Sequence, residues 1–133
     1  MSHVLLALKV PASVVSNWQR EFENFAPDLK VALYHGSMEE RLEIQSELLS
    51  SLRSSNATLP DVIITSITYF QKESATDRDF LRKFNFDYLV CDEAHLLKNA
   101  KGLRYKNLDR FKTKHRLLLT GTPVQVRFLI VTD

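Results

Sequence analysis

Apolar residues in this chain fall into two arrangements, short unbroken runs and sparser stripes at helical spacing. Val4 to Val10 is apolar except for Lys9 and is closed by Pro11, the pattern of a strand buried on both faces. Val15, Trp18, Phe22 and Phe25 then recur at spacings of three, four and three. That predicts one face of a helix, with Ser13 or Ser16 as its cap and Pro27 ending it. The alternation repeats. Lys30 to Tyr34 predicts a second strand, Gly36 its turn, and Ser37 with Glu40 a capping box for a second helix, whose apolar stripe is Met38, Leu42, Leu49 and Leu52. Further along, strands are expected at Asp61–Thr65, Tyr88–Cys91 and Arg116–Leu119, and helices at Asp77–Lys83 and Leu103–Phe111.

Strands that are apolar throughout and alternate with helices predict an α/β fold, a mostly parallel sheet with helices on both faces. In such sheets the chemistry gathers at the carboxyl ends of the strands. No internal repeat divides the chain.

Composition narrows the class without naming it. The 133 residues are 44% hydrophobic and 26% charged, ordinary for a globular domain, and the net charge of +2 argues for neither nucleic acid nor membrane. The distribution is uneven, since eight basic residues between Lys98 and Arg116 stand against Asp109 alone, a local +7 that leaves −5 elsewhere. A basic helix beside a core strand reads first as a solvated face. The single cysteine, Cys91, excludes an intramolecular disulfide and any multi-cysteine zinc site, and its place in an apolar strand makes it a packing residue. No stretch reaches the roughly 20 apolar residues of a membrane span, and the start lacks the basic residues of a secretory leader, so an intracellular protein without membrane partners is expected.

The fourth strand runs directly into Asp92-Glu93-Ala94-His95. A strand-end carboxylate can hold Mg²⁺ through water, and a second acid beside it can orient or deprotonate a water attacking a phosphoryl group. The fifth strand ends in Thr120-Gly121-Thr122-Pro123, where hydroxyls and backbone amides can bond the neighbouring acidic strand end. Taken singly, either string also suits an ordinary strand-to-loop turn.

In order, however, Asp92-Glu93-Ala94-His95, Leu97-Lys98-Asn99, a basic helix and Arg116-Leu117-Leu118-Leu119-Thr120-Gly121-Thr122-Pro123-Val124-Gln125 resemble the first ATPase lobe of the Snf-type chromatin-remodelling enzymes of helicase superfamily two. Pro11 to Phe22 resembles the family's motif Ia, Tyr34-His35-Gly36-Ser37 its Tyr-x-Gly turn, and Ile64 to Tyr69 its motif Ib region. The resemblance covers roughly residues 9 to 125. It implies a partial RecA-like lobe over residues 1–125 and a divergent tail over 126–133.

The resemblance further implies an ATP- and Mg²⁺-dependent translocase on double-stranded DNA that moves or restructures nucleosomes in the nucleus. On that reading Asp92 is the Mg²⁺ ligand, Glu93 the water-activating base and His95 the link to a second lobe. Thr120, Gly121 and Thr122 couple hydrolysis to DNA movement, and Pro11, Ala12, Ser13, Thr65 and Ser66 lie along the DNA phosphate track.

Two departures stand out. A phosphate-cradling P-loop needs two glycines five positions apart before Lys and Ser or Thr, and the glycines here are Gly36, Gly102 and Gly121. In the family that loop precedes motif Ia, so the chain is expected to begin after the triphosphate cradle and to lack the second lobe with its arginine finger. Little or no hydrolysis by the chain alone is therefore expected, and a sheet missing the P-loop strand exposes apolar edge and face that invite self-association. The alternative is a catalytically inactive fragment acting as a DNA- or protein-binding module.

Overall fold

The computed structural model describes residues 4–9, 15–70, 76–92 and 103–119. Five parallel strands, β1 (Val4–Lys9), β2 (Val31–Tyr34), β3 (Val62–Ser66), β4 (Phe86–Cys91) and β5 (Thr113–Leu118), stand in the order β2-β3-β1-β4-β5. Between them lie α1 (Val15–Phe25), α2 (Met38–Arg53), α3 (Thr76–Leu81) and α4 (Leu103–Asp109), with a 3-10 turn at Ile67–Phe70. Each expected strand and helix is present, its ends displaced by a few residues. The expected α/β class with a parallel sheet is the observed one.

The unbroken apolar runs have a direct cause in the layering. In β3, successive side chains face opposite ways, and both ways are covered. Ile63 enters the larger core with Leu81, Leu89 and Phe111, while Val62 and Ile64 pack with Val15 of α1 in a smaller cluster on the other face. A strand buried on both sides has no reason to alternate.

Burial corrects two of the expected helix faces. Phe25 is 82% exposed; the α1 residues that pack are Val15, Trp18 and Phe22, and Phe25 is the helix's last residue. On α2, Met38 and Leu42 are 62% and 46% exposed, and contact with the core is made by Leu48, Ile44, Leu49 and Leu52. Ser37 caps the first turn of α2, and Met38 and Leu42 lie off the side of the helix that meets the core.

Among the described residues no helix is long and apolar enough to cross a membrane. Cys91 is buried, as expected, and burial pushes its thiol up to about 12. The basic residues Lys106, Arg110, Lys112 and Lys114 are exposed, in keeping with a solvated face.

Candidate functional site

The register aligns the carboxyl ends of all five strands. Tyr34 pairs with Thr65, Thr65 with Leu8, Leu8 with Cys91, and Cys91 with Leu118, so these residues form one row across the sheet. One step further along the strands come His35, Ser66, Lys9, Asp92 and Leu119. With strands about 4.8 Å apart, Ser66 and Asp92 are separated by the width of β1, roughly 10 Å.

Asp92 leaves β4 half-buried. Since Leu89 and Cys91 point into the larger core, the alternation of the strand sends Asp92 to the opposite face, the one covered by α1. There its Oδ2 accepts a hydrogen bond from Trp18 Nε1 at 3.3 Å. The Leu119 N–H donates to the Cys91 carbonyl at 2.8 Å, which extends the β4–β5 ladder and brings the residue before Thr120 alongside Asp92. Glu93, His95, Thr120, Gly121, Thr122, Pro11, Ala12 and Ser13 lie outside the described residues.

Thr65 and Ser66 are at the strand ends where the sequence puts them, yet both are 0% exposed. The Thr65 hydroxyl donates to the Tyr34 carbonyl at 2.8 Å, and that of Ser66 pairs with the Thr68 hydroxyl at 2.9 Å. Their side chains are engaged inside the protein, where they fix the ends of β2 and β3 and the turn that follows.

Beside them lies a polar network that sequence reasoning missed. Asp77 of α3 accepts from the Tyr34 hydroxyl at 2.5 Å and from Arg41 Nε at 2.9 Å and Nη2 at 3.3 Å, while Gln45 donates to the Tyr34 oxygen at 2.7 Å. Arg41 also donates to the Gly36 carbonyl at 2.7 Å and lies over the Tyr69 ring, 4.3 Å from its centroid. Tyr69 in turn bonds His35 Nδ1 at 3.0 Å and receives the Gly36 N–H at 3.2 Å. Burial, and after it the bond to Asp77, pushes the Tyr34 phenol far above its ordinary range. Burial opposes the Arg41 charge, but hydrogen bonding and attraction to Asp77 outweigh it and raise the guanidinium further. The network clamps the His35-Gly36-Ser37 turn to the sheet end. Nothing in the local sequence marks Asp77 as buried, since an acid in a first helical turn usually faces water.

Among the described residues no three His, Cys, Asp or Glu side chains converge on a point that could hold a metal. That excludes an all-protein cage from the described part. A hydrated Mg²⁺ is held by one or two carboxylates together with substrate phosphates. A single hard-oxygen donor at a strand end fits such an ion.

The parallel α/β fold is that of an SNF2 ATPase core. The Sulfolobus solfataricus SWI2/SNF2 ATPase core in complex with dsDNA superposes with a TM-score of 0.65 at 27% identity, covering 95% of this chain and 22% of that one. The model of the SNF2-related domain matches residues 5–129, and the chain belongs to that family. Similar proteins include the zebrafish (Danio rerio) SWI/SNF-related matrix-associated actin-dependent regulator of chromatin subfamily A containing DEAD/H box 1A, 40% identical over 92% of this chain and 12% of its own length. The ATP-dependent helicase FUN30 of Saccharomyces cerevisiae is 42% identical over 87% of this chain and 10% of its own. The ATP-dependent helicase fft3 of Schizosaccharomyces pombe is 42% identical over 92% and 12%. The chain thus spans about a tenth of the length of these relatives.

Proposed function

We propose that this chain is part of the first ATPase lobe of a nuclear SNF2-type chromatin remodeller, a unit that couples ATP hydrolysis to movement along double-stranded DNA. The observation that carries the reading is the single row of strand ends, which sets Asp92 one strand away from the Thr65–Ser66 end within a chain matched by the SNF2-related domain over residues 5–129. Nucleotide chemistry belongs at the β4–β5 end and DNA phosphates at the β1–β3 end of the same edge.

In this reading Asp92, with Glu93 beside it in sequence, would hold Mg²⁺, which when bound would supply charge neutralisation at a transferring phosphoryl group. Glu93 takes the proton of the attacking water, and His95 and Thr120 to Thr122 carry the state of the site toward the second lobe and the DNA. Thr65 and Ser66 act by shaping the strand end, because their hydroxyls are internally bonded, and backbone amides with Pro11 to Ser13 make the phosphate contacts. Nucleosomes are the substrate proposed for the whole enzyme.

A second reading rests on one sequence fact, that none of the three glycines can build a P-loop. On it the 133 residues alone bind DNA or protein without turning over ATP. The two are separated by titrating the chain and Asp92→Asn with Mg–ATP by calorimetry and with labelled duplex DNA by anisotropy. Saturable nucleotide binding lost in Asp92→Asn supports a working half-site. Duplex binding that weakens with salt, without nucleotide binding at millimolar ATP, supports the binding module. Neither interaction, in a folded chain, sinks both.

A further inference from the structure

Trp18 and Asp92 are 74 residues apart in sequence, yet the indole N–H reaches the carboxylate at 3.3 Å. The contact joins helix α1 to the end of β4. Helix α1 rests on β2 and β3, and β1 stands between β3 and the β4 strand that carries Asp92. The indole ring is fixed by packing, since Trp18 lies against the Val15, Val62 and Ile64 cluster with Phe22 at 5.9 Å between ring centroids.

An indole nitrogen is a donor only, so it can engage the carboxylate but never compete with it as a ligand for a cation. The last torsion of an aspartate is broad and nearly two-fold. A fixed donor on Oδ2 narrows it and determines which way the carboxylate plane faces.

We propose that Trp18 is a positioning residue for Asp92, the point at which helix α1 sets the orientation of the metal-binding carboxylate. The functional half of this inference rests on Asp92 being that carboxylate. The hydrogen bond itself does not. Occupancy of the carboxylate restrains the indole in return, since coupling between two sites is reciprocal.

The protein supplies its own probe, because Trp18 is its single tryptophan and gives one indole N–H resonance in the ¹⁵N-labelled chain. In Asp92→Asn and Asp92→Ala that resonance is expected to shift, and its exchange with solvent in Asp92→Ala to quicken about tenfold, with the amide resonances of α2 and α3 unmoved. An unchanged indole resonance in both variants overturns the proposal.

Mn²⁺ alone then tests the functional half. Substoichiometric Mn²⁺ is expected to broaden the indole resonance of the wild-type chain and not that of Asp92→Asn. In Trp18→Phe, which keeps the packing and lacks the donor, broadening of the Cys91 and Leu89 amides should need at least threefold more Mn²⁺. Equal Mn²⁺ demand in Trp18→Phe overturns positioning. An indole that responds to the Asp92 variants but never to Mn²⁺ overturns the metal reading of Asp92 and leaves the contact standing.

Discussion

Arg41 Nε lies 2.9 Å from Asp77 Oδ1, an ion pair that ties α2 to α3 across the end of β2 with both side chains nearly out of water. Removing one member strands the other. Asp77→Ala is expected to cost about 3–5 kcal/mol in urea unfolding, because Arg41 keeps its charge without its partner. Replacing both, as Arg41→Met with Asp77→Leu, should recover half or more of that loss. A double variant no more stable than Asp77→Ala would contradict the account.

Gly36 has a φ of 126°, and a Cβ there would meet Glu40 Oε2 at 2.5 Å. Gly36→Ala thus combines backbone strain with damage to the capping box. It should destabilise by at least about 1 kcal/mol in the same assay, more than an ordinary surface exchange.

Hydrogen bonds from Ser37, that of its backbone N–H foremost, hold the Glu40 carboxyl below its usual range. A group with a depressed folded-state pKa stabilises at neutral pH and loses that contribution as pH falls through the folded value. Stability of the wild type should therefore fall through the acidic carboxylate range more steeply than that of Glu40→Ala, and the two unfolding curves should converge at low pH. Parallel curves would remove the cap from the explanation.

Cys91 is buried in β4 and its thiol is pushed up to about 12, chiefly by burial. At pH 8 the folded protein should react with a thiol reagent at least a hundredfold more slowly than the chain in guanidinium, because thiolate and access are both suppressed. Comparable rates in the two solvents would show that the strand opens readily.

Phe25 and Leu81 make a paired test of the core. Leu81 is fully buried and its replacement by Ala should cost about 2–5 kcal/mol, whereas Phe25→Ser should stay within about 0.5 kcal/mol. A large penalty at Phe25 would mean that its exposed ring is covered in solution by something else.

Local patterns in the sequence translated well into elements, because an apolar run flanked by helical spacing leaves few alternatives in a parallel sheet. The Ser37–Glu40 capping box was readable for the same reason, being complete within four residues. Helix faces were less legible. Spacing finds residues that share a side but not how far along a helix that side stays covered, which is why Phe25, Met38 and Leu42 were placed inward and stand outward. Least legible were contacts made by tertiary approach. Asp92 could be singled out from its strand-end position, but its Trp18 donor arrives from another element, and the Asp77 clamp draws on α2, α3 and β2 together.

The strand order also bears on how the protein is made. Among the described strands β1 comes first in sequence, yet it occupies the middle of their sheet, with Leu6 opposite Ile63 on one side and Leu89 on the other. A nascent chain can complete β2-β3-β1 while one flank of β1 still waits for residues more than eighty positions downstream. During that interval the backbone amides and carbonyls on that flank of β1 are open to any passing extended segment, a template for mispairing until β4 arrives.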